Sequence, residues 1–537
     1  MANKDELLVQ QQNEVDGKLW AMANDLRGSM DANEFKSYIL GLIFYKFLSD
    51  KITKVINDEL KDDGMTFEQA WKDESMHDDI KELCVRINGY FLDPKYLFNA
   101  FVEKINVNDF SVEYLKEGIN AIVSSTTGEK SQEDFADLFD DMDLDSNKLG
   151  KGEGERSKLI GKIISQINDL SLDISETNFD VLGHAYEYLI GKFAVSAGKK
   201  AGEFYTPAQV SELLARIVTM DNGNIKTAYE PTCGSGSLFL RVRNRVDDPN
   251  SLMLYGQEKV STTYNLARMN MLMHGVDYEK FDIYCEDTLE APAERHKNLK
   301  FDAVVANPPY SAKWNPEGKD QDSRFNGYDG KYAPATKADY AFVQHMIYHL
   351  SDSGTLAVVL PHGVLFRGSS EETIRTKIIK DYNMLDAVIG LPANLFFGTS
   401  IPTCIMVLKK CRNNSKNVAF IDASKYFEKE KNQNFLQEED LERILQAYKD
   451  RKDIHAFMHV ATLKEIEDNG YNLNIPRYVD TFEKEPDISL KDVAAEIKGI
   501  DEELERTDAE LVKQLGELTT DDEDSKQGIQ DIINLLK

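Results

Sequence analysis

Seven short apolar runs recur between residues 227 and 408, at 227–229, 252–256, 281–284, 301–306, 356–360, 385–389 and 404–408, and helical patterns separate them. Runs this short, rich in Val, Ile, Leu, Ala and aromatic residues, read as buried strands. Strands that alternate with helices bury both faces of a sheet under those helices. The pattern therefore predicts an α/β fold with a doubly wound sheet, parallel or mixed. In such sheets ligands bind beyond the carboxyl ends of the strands, so the residues that follow each run are where chemistry is to be sought.

The run at 301–306 ends in Asn307-Pro308-Pro309-Tyr310. Two prolines fix φ and remove N–H donors, so the turn presents carbonyl oxygens. A planar amine conjugated to a ring can give its hydrogens to the Asn307 side-chain oxygen and the Pro308 carbonyl while Tyr310 stacks on the ring. Such bonds free the nitrogen lone pair for attack.

The first run is followed by Glu230-Pro231-Thr232-Cys233-Gly234-Ser235-Gly236-Ser237-Leu238. Its glycines let backbone approach a ligand, and a helix start follows. The third glycine of the dinucleotide fingerprint is replaced by Phe239. The second run ends at Gln257-Glu258, where an acid can accept both hydroxyls of a ribose, and the third at Glu286-Asp287-Thr288, where a carboxylate can accept from an adenine amine. Alone, each is an ordinary turn, surface acid or helix cap. Together, at the ends of successive strands, they spell a nucleoside with a charged amino-acid end and point to S-adenosylmethionine.

The flanks differ. Apolar residues at three- and four-residue spacing, among them Leu19, Met22, Leu26, Phe35, Ile39, Leu42 and Ile43, make residues 10–123 helical. Residues 131–146 carry seven acids and no base, ahead of a glycine-rich stretch, and predict a flexible connection. Asp141, Asp143 and Asp145 begin like a calcium loop, but Ser146 and Gly152 stand where its glycine and closing Glu belong. His345 and His349 lack the Glu of a zinc protease and read as packing or surface residues. No metal site is expected. Beyond residue 478 a near-heptad seam, Val493, Ile497, Ile500, Leu504, Leu511, Leu515 and Leu518, is suited to pairing with another helix. The net charge of −30 argues against a whole surface that grips DNA phosphates, so a more basic partner is expected to supply affinity. Five scattered cysteines, no long uncharged apolar stretch and no apolar leader predict a cytoplasmic chain.

These residues resemble the amino-group DNA adenine methyltransferases, and closely the modification subunits of type I restriction-modification systems. The likeness rests on Gly202-Glu203-Phe204-Tyr205-Thr206-Pro207, the stretch from Glu230 to Gly236, Asn307 to Tyr310, and Pro361-His362-Gly363-Val364-Leu365-Phe366-Arg367. Gly398-Thr399-Ser400-Ile401-Pro402-Thr403 and Asn472-Leu473-Asn474-Ile475-Pro476-Arg477-Tyr478 extend it over most of the chain. The resemblance implies a Rossmann-like, seven-stranded S-adenosylmethionine-dependent methyltransferase domain at 151–480, an all-helical domain at 1–150 and a helical tail for subunit association at 481–537. It implies that Phe204, Thr206 and Pro207 border the methionine end of the cofactor and that Glu230, Thr232, Gly234, Ser235 and Gly236 hold it. Glu258 would take the ribose and Asp287 the adenine. Asn307, Pro308, Pro309 and Tyr310 form the catalytic tetrapeptide, whose Asn form favours adenine over cytosine. Duplex DNA, a separate specificity subunit with two modification subunits to each, and an ATP-driven restriction subunit are the implied partners. A flipped target base is expected, with residues 311–337 either a lid over it or a plain surface excursion. Two alternatives stand beside this one: the same chemistry on a protein glutamine, and a non-catalytic assembly scaffold.

Overall fold

The computed structural model describes residues 17–20, 32–170, 186–190, 192, 206–396, 400–429, 433–480 and 489–536. Met22, Leu26, residues 202–205 with Phe204, Gly398 and Thr399 lie outside the described residues. The chain forms two compact units, Met1–Asp480 and Thr481–Lys537.

All seven predicted strands are present: β1 (Thr227–Glu230), β2 (Met253–Gln257), β3 (Phe281–Tyr284), β4 (Phe301–Ala306), β5 (Leu350–Pro361), β6 (Leu385–Gly390) and β7 (Thr403–Lys409). Among the described residues four more join them: β8 (Asn417–Asp422), the short pair β9 (Glu428–Lys429) and β10 (Asn434–Phe435), and β11 (Met458–Thr462). The main sheet has nine strands in the order β11-β8-β6-β7-β5-β4-β1-β2-β3. β7 runs antiparallel to β5 and β6, and β11 to β8, while the stretch from β3 to β5 is parallel throughout. From β1 the chain moves outward to β2 and β3, then returns to place β4 on the other side of β1. The ends of β1 and β4 therefore flank the point where the winding reverses, which is where a crevice opens in such sheets.

Strand residues alternate between two cores, as a period of two requires. Ala303, Val305, Ala357, Val359, Ile389, Ile405 and Ile421 face one core, continuous with the amino-terminal helices. Val304, Ala306, Leu356, Val358, Leu360, Val388, Met406 and Phe420 face the other, under the helix Asp339–His349. The helical region is built on Ala32–Glu59, whose Tyr38, Ile39, Leu42, Ile43 and Phe47 are buried. The helix Glu153–Asn168 packs against Phe98–Asn106 and Val112–Ser125 in the same region.

The flexible connection expected over the acidic stretch is not there. Phe135, Leu138, Phe139, Met142 and Leu144 alternate with the acids and are buried in the core. Buried Arg268 reaches across from the helix Ser261–Met273 to donate to the carbonyls of Glu133, Asp134 and Ala136, and Asn265 donates to Asp141 at 3.0 Å. Burial of the interleaved apolar side chains outweighs the charge count in deciding the fate of this segment.

The second unit holds the helices Leu490–Glu517 and Glu523–Leu535. Ile497, Ile500, Leu504 and Leu511 are exposed along the first of them, and Leu518 follows its end.

Candidate active site

Asn307 follows β4 directly. Its Nδ2 donates to Thr206 Oγ1 at 3.1 Å, which fixes the amide plane. Thr206 and Pro207 are buried just ahead of the helix Ala208–Thr219. The Asn307 Oδ1 accepts the Tyr310 hydroxyl at 2.8 Å. Tyr310 lies edge-on to Phe396, ring centroids 6.0 Å apart at 77°. Next along the chain, the Ser311 N–H donates to Asp339 Oδ1 at 2.9 Å, and Arg367 donates to Asp339 Oδ2. Arg367 also pairs with Glu371 at 2.6 Å. Arg367, at the end of the segment 361–367, thus acts through Asp339 on the residue that follows the tetrapeptide. Leu473 N–H donates to the Leu365 carbonyl and Tyr478 stacks on Phe420 at 3.8 Å, which seats the segment 472–478 against the same strand ends.

The glycine loop takes the conformation its glycines allow, with Gly234 at φ 54° and Gly236 at φ 76°. A Cβ on Gly236 would lie 2.7 Å from Met271 Cε. One on Gly256 of β2 would lie 2.9 Å from the Phe239 ring, so this strand glycine admits the helix Ser237–Arg243 to the sheet. The Gly234 N–H points at Glu258 and donates to its Oε2 at 3.0 Å, while Val260 N–H donates to Oε1 at 2.9 Å. Asn270 Nδ2 holds the Ser235 carbonyl at 3.0 Å.

Glu230 is 2% exposed and its Oε2 has no hydrogen-bond partner among the described residues. Burial, and after it the charge of Glu258, holds its carboxyl well above the ordinary carboxylate range. Burial also pushes Glu258 up, against the N–H bonds that favour its ionised form. The buried Thr232 Oγ1 is likewise without a partner. At Asp287, burial is outweighed by a 2.8 Å ion pair with Lys259 and by bonds from the Leu289 and Glu290 N–H groups, and its carboxyl lies below the usual range. Asp287 is therefore a turn cap as well as a cleft residue.

One cavity of about 210 Å³ gathers these strand ends: Thr232 after β1, Glu258 after β2, Asp287 after β3, and Asn307 and Pro309 after β4. Pro308 and Glu230, predicted for the site, are buried and are not among the residues that line it. Lys259, Leu289, Ala312, Lys313, Trp314 and Phe342 are among the other lining residues, and of these only residues 312–314 lie in a segment that the sequence brought to the site. Trp314 belongs to the segment 311–337, which is packed down as a structural arm. Trp314, Phe325 and Tyr328 are buried, and Trp314 Nε1 donates to the carbonyls of Ala333 and Pro334.

The set fits a nucleoside bearing a charged amino-acid end. Two buried side-chain oxygens at the glycine loop, of Glu230 and Thr232, have no partner among the described residues, the former on a carboxyl that an ammonium would favour in its ionised form, and two further acids line the cavity at the next strand ends.

Residues 177–487 match the family model of the N-6 DNA methylases. The chain belongs to this family. Residues 15–167 match the model of the HsdM N-terminal domain. The type I restriction enzyme MpnII methylase subunit of Mycoplasma pneumoniae is 37% identical over 90% of this chain and 92% of its own length. The HindI methylase subunit of Haemophilus influenzae is 31% identical over 71% of this chain and 91% of its own. The type I restriction-modification methyltransferase subunit of Streptococcus thermophilus, a solved structure, superposes with a TM-score of 0.81 at 42% identity, covering 87% of this chain and 100% of that one. This N-6 DNA methylase is a DNA adenine methyltransferase of the type I methylase-subunit group. Among its described residues no helix is long and apolar enough to cross a membrane.

Proposed function

We propose that this methylase transfers a methyl group from S-adenosylmethionine to the exocyclic amine of adenine in duplex DNA, and that a separate specificity subunit chooses the site. The observation that carries this is the Asn307 amide, immobilised by Thr206 and set at the mouth of a cavity lined by Thr232, Glu258 and Asp287. When bound, the sulfonium supplies an activated methyl and a neutral leaving group. Glu230, Thr232, Gly234, Ser235 and Gly236 take the methionine end, bordered by Phe204, Thr206 and Pro207, while Glu258 takes the ribose and Asp287 the adenine. Asn307 Oδ1 and the Pro308 carbonyl accept the amine hydrogens of the flipped target base and orient its lone pair in line with the methyl. Tyr310 replaces the lost stacking neighbours, with Phe396 beside it. The methylated amine is acidic enough to give its extra proton to water, so no strong base is required of the protein.

The helical region, with the helix Glu153–Asn168 assigned to it, and the exposed seam of the tail are the surfaces left for assembly with the specificity subunit, two methylases to one, and with a restriction subunit. The acidic chain is placed in the cytoplasm and binds duplex weakly without its partner.

The test is labelled methyl transfer to DNA lacking adenine methylation, with the chain alone and with its specificity subunit. N6-methyladenine formed only with the partner supports the proposal. Asn307→Ala should lower kcat by about a hundredfold or more while cofactor binding persists. Undiminished methylation in that variant, or label appearing only on protein glutamine, overturns it.

A further inference from the structure

By the amino ends of β4, β5 and β6 and the end of the helix Asp339–His349 lies a second cavity of about 230 Å³. Lys300, Arg324 and Lys410 line it, and among the described residues no carboxylate does. That is notable in a chain of net charge −30. Gln344 lines it too, fully buried, with neither amide atom bonded to any described residue. Ser323 and Asn326 add donors to the rim.

Lys300 donates to the Tyr348 carbonyl and Lys410 to that of Leu350, both at the end of the helix Asp339–His349. An ammonium has three hydrogens, so each lysine keeps donors for another acceptor. Arg324 is committed to Asp322 and to backbone carbonyls and contributes only its field. Asp352, which approaches Lys410 at 4.0 Å, is solvent-exposed and so a screened partner. Burial pushes both lysines below their ordinary range, and the charge of Lys300 adds to the effect on Lys410. Lys300 is exposed and Lys410 partly so, and water hydrates both, but an anion seated in the cavity would meet both ammoniums and the buried amide at once.

We propose that this cavity is a binding site for a phosphate-bearing anion, held by Lys300, Lys410 and the Gln344 amide. The phosphate can come from a free phosphate compound or from a DNA backbone, and the experiment separates the two.

Pyrophosphate is titrated calorimetrically into the full chain at about 0.15 M salt. Saturable one-site binding is expected, weakened about tenfold or more in the Lys300→Gln/Lys410→Gln variant and unchanged in Lys464→Gln, an exposed control. Glutamine keeps a donor for each helix-end carbonyl. Melting curves check folding, and Lys410→Gln alone serves should the double variant unfold. The same variants are then titrated with mixed-sequence duplex at several salt concentrations. Loss of duplex affinity with a shallower salt dependence assigns the phosphate to DNA backbone where the parent binds no pyrophosphate or the variants lose that binding too. Loss of pyrophosphate binding alone assigns it to a free compound. Pyrophosphate binding that survives the lysine changes, or no pyrophosphate binding together with unaltered duplex affinity, overturns the proposal. Cofactor affinity stays unchanged in every arm, so this inference and the proposed methyl transfer fail separately.

Discussion

The Tyr310 hydroxyl donates to Asn307 Oδ1 at 2.8 Å, so the aromatic ring and the amide proposed to grip one target base hold each other in its absence. The amide oxygen has a second lone pair and the bond is neutral, so an incoming base displaces it at little cost. Removing the hydroxyl in Tyr310→Phe should leave kcat within a few-fold of the parent. Tyr310→Ala loses the stacking face and should lower kcat/KM for DNA by about 5- to 150-fold, the worth of one stacked base. Steady-state transfer on duplex separates them. Equal losses in both variants would mean that the hydroxyl, not the ring, is what matters.

Glu230 makes both stability and cofactor affinity depend on pH. Burial, then Glu258, raises its carboxyl well above the ordinary value of 4.5. A group raised on folding adds stability that is full below its unfolded value and is lost as pH rises through its folded value. Glu230→Gln should therefore melt higher than the parent on the alkaline side of that window. The same variant should bind S-adenosylmethionine about ten- to a hundredfold more weakly, because an ammonium needs the charged oxygen. In the parent, cofactor affinity should rise as pH climbs through the raised folded-state value of Glu230, and in Glu230→Gln it should lose that rise. Calorimetric titration across pH checks this. An unchanged slope in the variant would remove Glu230 from the cofactor site.

How much was legible follows from the reach of each signal. The central strands β4, β6 and β7 could be read because nearly all their residues are buried on both faces and are apolar, and β1, β2 and β3 because short apolar runs recur between helical patterns. β11 was missed because Met458–Thr462 is an edge strand of mixed burial broken by His459, whereas β8, an apolar run as long as β4, was there to be read. Thr232, Glu258, Asp287, Asn307 and Pro309 were legible because strand ends converge wherever a parallel sheet reverses its winding, and all five line one cavity. Contacts made across long stretches of chain were not. Nothing in local spacing joins Thr206 to Asn307, Asp339 to Ser311 or Phe396 to Tyr310. The acidic stretch misled because charge was counted without the alternating Phe135, Leu138, Phe139 and Met142 that bury it.

The buried histidines predict how the fold responds to acid. His345 Nδ1 accepts from Arg324 at 3.0 Å, so its Nε2 carries the proton and donates to the Tyr229 hydroxyl at 2.8 Å. Burial holds His345 well below its ordinary range, and pushes His349 down to about 4 despite a bond to the Leu299 carbonyl. A depressed histidine adds stability that is present above its unfolded value of 6.5 and lost as pH falls through its folded value. The protein should therefore lose on the order of 3 kcal/mol from His349 alone between those limits. His349→Gln should flatten that part of the profile in urea melts at stepped pH, and an unchanged acid limb would locate the titration elsewhere.

Arg324 ties the arm to the cofactor cleft. Its guanidinium is buried, pairs with Asp322 at 2.6 Å, and donates to the carbonyls of Thr288 at 2.6 Å and Leu289 at 3.0 Å, on the turn that carries Asp287. Lys319 adds a bond to the Leu289 carbonyl and Asn315 N–H one to Glu290. One segment thus runs from the target-base tetrapeptide to the turn proposed to hold the cofactor's adenine, and sets their separation. Arg324→Lys keeps the charge but cannot span both carbonyls, because an ammonium lacks the planar fork. It should raise the Kd for S-adenosylmethionine about tenfold, the worth of one charged hydrogen bond, with kcat at saturating cofactor within about twofold of the parent. A merely structural role would lower the fraction of folded enzyme and hence kcat, with Kd unmoved. Titration of the cofactor beside saturation kinetics distinguishes the two outcomes, and an unaltered Kd would release the arm from any part in positioning the cofactor.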